Sequence, residues 1–492
     1  MFAAHGFHEL VARAKLGRFL IDRLVSKDLE GFSTPERVRM AFEQLGPTFV
    51  KLGQLLATRP DLIPVEFAHE FQKLHDQVGG VEFKEIETSL VAHFGAPLDE
   101  VFSVFEKSPL AAASIAQVHR AKLKNGDQVV VKIQRPGLDT VIQDDLVTLR
   151  TLADLVDRYI PELRPFNPKG IVEEFGRSME QETNFIIEAN NIRRFSANFA
   201  SDPNIKIPKV YSKYTGRRVL VMEALDGVPL SQSRALQQQG IEPEEVLKRG
   251  LRAYLKMIYS DGLFHGDLHA GNVFLLSDNR IGLIDFGIVG RLNRKTQNAI
   301  ANMFLALAEE DYDRMAYIFV DLAPFTEDID VDQFARDTRD LIAPYFGMTM
   351  KNINVGRMLM DSTAVAARHG LVVPSELVLF FKSIVALEGM GRMILPDFDF
   401  LTYSLEFASE LVQIRMDPKR IFSDASVAAR DLNSLLAFLP RQLKQALRRV
   451  NDPGFSVQLR LQDLRRIERA IDRGAWVICF GLIAAALIIS LL

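Results

Sequence analysis

The segment F-H-G-D-L-H-A-G-N-V-F at residues 264–274, followed by G-L-I-D-F-G at 282–287, narrows the possible folds more than any other stretch of the chain. Asp267 and Asn272 stand five residues apart in a glycine-interrupted run, off helical spacing, so they read as loop residues. Asp285 follows Asn272 by thirteen residues and closes a short apolar run, I-G-L-I, that reads as a strand. A hard cation such as Mg2+ takes a few protein oxygens and leaves its other positions to water and phosphate. Asn272 and Asp285 can supply such oxygens. Asp267 is then left to orient or deprotonate an attacking hydroxyl or water. Two unrelated turns that use Asp, Asn and Gly for backbone reasons are the plain alternative, and the order and spacing argue against it.

Protein kinases place His, Asp and Asn on their catalytic loop in this order and then use D-F-G to supply the metal aspartate. Here Gly266 stands where kinases carry Arg. An upstream lobe is therefore expected. Q-V-V-V-K-I at 128–133 follows the turn signal N-G-D at 125–127, which predicts the second strand of a hairpin. Lys132 on that strand matches the lysine that contacts the α- and β-phosphates. The expected glycine loop is missing, and P-L-A-A-A-S-I-A-Q-V-H at 109–119 takes its place. Ala111, Ala112, Ala113 and Ser114 are thus expected against the nucleotide. Alanine lacks the positive-φ freedom of glycine, so this loop should be stiffer. R-V-L-V-M at 218–222 reads as a strand leading into E-A-L-D-G at 223–227, the hinge, where backbone groups near Glu223 and Leu225 would meet the adenine edge.

Together the alanine-rich loop, H-G-D-x-H-A-G-N and D-F-G resemble the UbiB-type atypical kinases, the aarF-domain kinases. Two further signatures agree. G-P-T-F-V-K-L-G-Q at 46–54 is similar to the K-x-G-Q motif of that family, at Lys51, Gly53 and Gln54, and Q-E-T-N-F-I-I-E-A-N-N at 181–191 is similar to its E-x-D and E-A-x-N segment. The resemblance covers roughly residues 30–300. It implies an α+β, protein-kinase-like two-lobed fold with an N-terminal helical extension. It implies that Glu188 is the helix carboxylate paired with Lys132, that Glu182 is the first acid of E-x-D, and that Lys51 and Gln54 line the pocket that E-x-D meets. Asn184 departs from the second acid of E-x-D and lacks its charge. ATP and Mg2+ are the implied cofactors. The implied activity is ATP hydrolysis, or transfer to a lipid-like or small molecule, in support of ubiquinone biosynthesis. A conventional serine/threonine protein kinase and a nucleotide-gated membrane scaffold are the competing readings. The first would label peptides in an Asp267-dependent way. The second would tolerate loss of Asp267 and Lys132 but not loss of ATP binding.

The remaining chain bears on partners and place. The formal net charge of −4 excludes a bulk electrostatic case for nucleic acid. The one cysteine, Cys479, excludes an internal disulfide and a cysteine-based metal centre. Five zones are expected: a helical extension at 1–107, the N-lobe at 108–226, the C-lobe at 227–430, a basic amphipathic region at 431–473 and an apolar tail at 474–492. In residues 1–24 apolar positions recur at helical spacing, broken by His8, Arg13, Lys15 and Arg18, which fits a helix packed on the body, a targeting peptide or a membrane-surface helix. The region 431–473 fits a packed helix or one lying on anionic lipid. The tail holds no charged residue and is long enough to span a bilayer at 1.5 Å per residue. Trp476 and the arginines 465, 466, 469 and 473 before it predict a transmembrane helix with the body on the cytoplasmic side. Membrane lipid, quinone precursors and quinone-biosynthesis enzymes are the expected partners, and a homodimer is left open.

Overall fold

Helical periodicity early in the chain is realised in α1 (Thr34–Leu45), α2 (Pro47–Ala57), α3 (Val65–Phe71), α4 (Phe83–Phe94) and the single turn α5 (Leu98–Val101). The structure is a computed structural model and describes residues 32–405 except 58, 60, 61, 64, 75–79, 160–166, 233–242, 324–328 and 346–353. The start of α1 is set by a capping box in which the Ser33 N–H donates to Glu36 Oε2 at 2.7 Å. Helix α3 ends at Phe71. The expected helix at the N-terminus, the amphipathic region 431–473 and the tail 474–492 lie outside the described residues. Among the described residues, no helix is long and apolar enough to cross a membrane.

The next strands form one antiparallel sheet. They are β1 (Phe102–Phe105), β2 (Ala111–Ala112), β3 (Ala116–Leu123) and β4 (Gln128–Gln134), and β3 and β4 join at the N-G-D turn. Three helices follow: α6 (Leu138–Tyr159), α7 (Pro168–Thr183) and α8 (Phe185–Asn198). After a short β5 (Ile205–Lys206) the chain returns as β6 (Val219–Glu223) and completes the order β1-β3-β4-β6, with β2 on β3. Side chains on a strand alternate between faces. Val129, Val131 and Ile133 are buried against Ile86 and Leu90 of α4. Lys132 therefore faces the opposite side of the sheet, where α8 lies. A second core joins the extension to α6 and α7 through Phe42, Phe49, Phe71, Leu146 and Phe175.

Beyond β6 come β7 (Gly227–Pro229), α9 (Pro243–Lys256) and a wide helical turn at Met257–Asp261. The stretch around the Asp267–Asn272 loop is threaded by four short strands: β8 (Leu263–His265), β9 (Val273–Leu276), β10 (Ile281–Leu283) and β11 (Val289–Arg291). They pair as β5-β10-β9-β7 and as β8-β11. These pairings hold both ends of the Asp267–Asn272 loop. Five helices then pack in sequence: α10 (Arg294–Ala308), α11 (Tyr312–Leu322), α12 (Val331–Ile342), α13 (Val355–Arg368) and α14 (Ser375–Ile394). Their common core includes Tyr254, Phe264, Phe286, Phe334, Phe380 and Phe381, all fully buried, each contributing about 1.5–3 kcal/mol by burial. Gly356 lets α13 approach α14 closely: a Cβ there would lie 2.5 Å from the Val385 backbone nitrogen.

Candidate active site

Lys132 reaches across from the sheet to α8. Its Nζ donates to both carboxylate oxygens of Glu188 at 3.0 Å and lies 3.5 Å from Asp285 Oδ1. The ring of Phe185, one turn earlier on α8, sits under the ammonium at 5.4 Å. Burial disfavours the charge on Lys132, but the carboxylates of Asp285 and Glu188 outweigh it and hold its pKa above the ordinary lysine value. Lys132 in turn holds the Asp285 carboxyl below the usual aspartate range. The Asp285 side chain is half-exposed, open for a ligand. Its backbone sits at φ 58°, a left-handed conformation uncommon outside glycine.

The catalytic loop is held by a buried histidine. Asp267 N–H donates to His265 Nδ1 at 3.2 Å, which makes Nδ1 an acceptor. The proton therefore sits on Nε2, which donates to the Ile284 carbonyl at 3.1 Å. Burial lowers the pKa of His265, in keeping with this neutral form. Asn272 Nδ2 donates to the Asp267 carbonyl at 3.0 Å, and the Ile284 N–H donates to the Asn272 carbonyl at 3.0 Å. Those two bonds set Asn272 beside the residue before Asp285. Asn272 Oδ1 carries no hydrogen bond among the described residues, so an oxygen is available there. Among the described residues no cluster of three or more His, Cys, Asp or Glu is arranged to hold a metal ion. Asn272 Oδ1 and the Asp285 carboxylate are oxygens of the kind that a hard ion takes when it completes its shell with phosphate and water.

Other expected site residues take more specific places. Ala111 and Ala112 are not a free loop but form β2, paired with Val118 and Gln117 of β3. The Ala113 N–H donates to the Ala116 carbonyl at 2.8 Å, and its carbonyl accepts from Arg135 Nε at 2.8 Å. Ser114 is buried, and its hydroxyl has no partner among the described residues. At the hinge, the Glu223 N–H donates to the Lys209 carbonyl at 2.8 Å, and its side chain pairs with Lys206 at 2.8 Å. The Glu223 amide is thus removed from the expected adenine contacts, because its proton already has an acceptor. The Leu225 N–H is not engaged by a described residue. In the extension, Lys51 Nζ lies 3.2 Å from Glu182 Oε2, so K-x-G-Q and the first acid of the 182–184 motif meet. Gln54 instead donates to the Leu74 carbonyl at 3.2 Å. Asn184 caps α8, its Oδ1 accepting from the Ile186 N–H at 3.2 Å. An aspartate could do the same, so the cap does not need the missing charge.

Several residues of the site carry no motif of their own. Asn191 Nδ2 donates to the Phe286 carbonyl at 3.0 Å and ties α8 to the D-F-G segment. Where kinases carry arginine, Gly266 leaves little room for a side chain: a Cβ would meet Leu379 Cδ2 of α14 and Ile288 Cγ2, each at 2.9 Å. From the same helix, Lys382 Nζ lies 3.5 Å from Asp267 Oδ1. The isolated lysine in the apolar α14 stretch is the sequence signal for it.

The antiparallel sheet with a lysine–glutamate pair, the His-Asp-Asn loop and the D-F-G aspartate define an α+β chain of protein-kinase-like fold. An ABC1 atypical kinase-like domain matches residues 73–319, and a UbiB helical domain matches residues 338–399. The chain is 33% identical over 466 residues to a protein named "Probable protein kinase UbiB" from Aeromonas salmonicida, covering 93% of this chain and 85% of that one. A protein of the same name from Azotobacter vinelandii is 32% identical over 453 residues, covering 91% and 83%. The chain belongs to the ABC1/UbiB family of atypical kinases. A solved structure, the complex of Rv3197 with erythromycin from Mycobacterium tuberculosis, aligns with 73% of this chain and 95% of its own at 23% identity and a TM-score of 0.44.

Proposed function

We propose that this chain binds Mg-ATP and hydrolyses it, or passes its terminal phosphoryl group to a lipid-like or small molecule, at a membrane and in support of ubiquinone biosynthesis. The observation that carries the reading is the convergence of Lys132, Glu188 and Asp285, which lie far apart in the chain, with the Lys132 ammonium within 3.5 Å of both carboxylates. Lys132, held protonated, faces the α- and β-phosphates. Asn272 and Asp285 hold Mg2+, which when bound neutralises charge on the phosphate oxygens. Asp267 orients the attacking hydroxyl or water and takes its proton. His265 keeps the loop in register without carrying charge. The unpaired Ser114 hydroxyl supports a ligand at the alanine-rich loop, since an unsatisfied buried hydroxyl costs about 1–3 kcal/mol. The Glu223 carbonyl and the Leu225 N–H are the hinge groups offered to adenine. The names of the relatives support the link to the ubiquinone pathway. The apolar run at 474–492 and the arginines before it support membrane attachment with the body facing the cytoplasm. Quinone precursors in the lipid, or the enzymes that process them, are the partners this implies.

The test is Mg2+-dependent ATP hydrolysis by the full chain, with and without liposomes that carry isoprenoid phenols. Turnover is expected to rise with the phenol-bearing liposomes. Asp285→Asn is expected to lower it by about 10²-fold or more. Equal turnover by wild type and Asp285→Asn overturns the reading.

A further inference from the structure

Moving a phosphoryl group requires positive charge where negative charge gathers on its equatorial oxygens. Lys132 is held by Glu188 and Asp285, and on the reading above it serves the α- and β-phosphates. The catalytic loop itself, D-L-H-A-G-N at 267–272, contains no lysine or arginine. The structure brings one from elsewhere. Lys382 lies 115 residues after Asp267, on α14, within the segment matched as the UbiB helical domain. Its ammonium lies 3.5 Å from Asp267 Oδ1, and both side chains are a little over one-third exposed, so solvent and ligand reach them.

This position is built and not a chance reach of a surface lysine. Ser383, the next residue, is fully buried, and its hydroxyl donates to the Leu379 carbonyl at 2.8 Å. The same Oγ lies 3.4 Å from the Gly266 carbonyl and 3.5 Å from that of His265. Leu379, one turn before Ser383, packs into the space that Gly266 leaves open. The stem of Lys382 thus starts from a fixed point against the loop. Its contact with Asp267 is long for an ion pair and partly exposed, which makes it easy to exchange.

We propose that Lys382 is the cation for the γ-phosphate: in the nucleotide-free chain it rests on Asp267, and with Mg-ATP in the cleft it turns to the γ-phosphate oxygens. This rests on the ATP-binding reading above and names a further catalytic residue for it. As the acceptor oxygen bonds to the γ-phosphorus, the bond from phosphorus to the β,γ-bridging oxygen breaks, and ADP leaves with that electron pair. The acceptor proton goes to Asp267, and Lys382 stays protonated throughout. The helical domain would then complete the site, and its docking on Gly266 would set the rate.

The test compares full-length wild type, Lys382→Met, Lys382→Gln, Lys382→Arg and Asp285→Asn for affinity to Mg-ATP and Mg-ADP by calorimetry, and for ATP turnover. A contact made only to the γ-phosphate separates the two nucleotides, whereas a merely structural role does not. Lys382→Met is expected to weaken ATP about tenfold and to leave ADP unchanged. Its turnover is expected to fall about 10²-fold. Lys382→Gln keeps a polar contact to Asp267 without charge and is expected to behave like the methionine variant, so the comparison holds even where methionine unfolds the chain. Lys382→Arg is expected to regain most of the preference for ATP. Equal loss of ATP and ADP affinity in the Met and Gln variants, or no loss of either, overturns the proposal. If nucleotide binding and turnover ignore Asp285→Asn, the ATP-binding reading fails and this inference falls with it. If they need Asp285 and ignore Lys382, this inference alone fails.

Discussion

Among the described residues, two buried glutamates serve opposite purposes. Glu188 of α8 and Glu388 of α14 are 2% and 1% exposed. Glu188 meets a full positive charge, the Lys132 ammonium at 3.0 Å. Glu388 takes its hydrogen bonds from backbone, accepting from the N–H groups of Val355 at 3.0 Å and Gly356 at 2.8 Å at the start of α13, with the charge of Arg392 a smaller influence. Burial pushes the Glu388 carboxyl up to about 7, although the two N–H groups favour its ionised form. A buried carboxylate opposed by an ion is a charged tool that can position phosphate. One opposed by dipoles is a clamp between two helices, and its charge is marginal near neutral pH.

The largest effect should come from breaking the first arrangement. Lys132→Met leaves Glu188 buried without its counter-charge, and removing one partner of a buried pair costs about 3–5 kcal/mol. Urea unfolding is expected to show that loss, and to show less of it as pH falls, because burial raises the Glu188 pKa and favours its neutral form. ATP turnover is expected to fall about 10²- to 10³-fold. An unchanged urea midpoint would mean that the pair contributes nothing to the fold.

Glu388 sharpens the contrast through pH. A carboxyl with a higher pKa in the folded chain than in the unfolded one binds more protons when folded. Its contribution is then complete below the unfolded value of 4.5 and is lost as pH rises through about 7. The span corresponds to roughly 3 kcal/mol. Glu388→Gln, which cannot ionise, is expected to gain stability relative to wild type between pH 5 and 8, by up to about that amount, in thermal melts at both pH values. Its ATP affinity should not change. A parallel pair of pH–stability curves would show that Glu388 titrates normally.

Gly266→Ala probes where the two regions touch. The added Cβ meets side-chain tips at 2.9 Å, which can yield at some cost. A loss of about 1–2 kcal/mol is expected, with Leu379→Ala recovering part of it in a double-mutant cycle. Additive losses would show that α14 does not press on the loop. The smallest change is expected for Asn184→Asp. Both residues cap α8 well, so stability should move by less than about 0.5 kcal/mol. A larger shift would mean that position 184 senses the charges of Lys51 and Glu182.

Much of the site is legible in the chain's own residues. Asp267, Asn272 and Asp285 stand out because loop spacing and short strands are local properties. Lys132 stands out because V-V-V-K-I follows a hairpin turn and precedes the catalytic loop. Local reasoning fails where a backbone group has a distant partner. The Glu223 N–H goes to Lys209, and Gln54 goes to Leu74. Neither bond leaves a trace in spacing or composition.

The sequence alone therefore determined which chemical groups are present, on which strand or loop they sit, and which family they belong to. Only the tertiary structure decided that Asn191 would hold the Phe286 carbonyl, that position 266 has little room for a side chain, and that Lys382 would stand beside Asp267. Those contacts join residues about a hundred positions apart. They arise when packed helices bring side chains together, and helix packing depends on the shape of whole faces, which no single stretch of sequence carries.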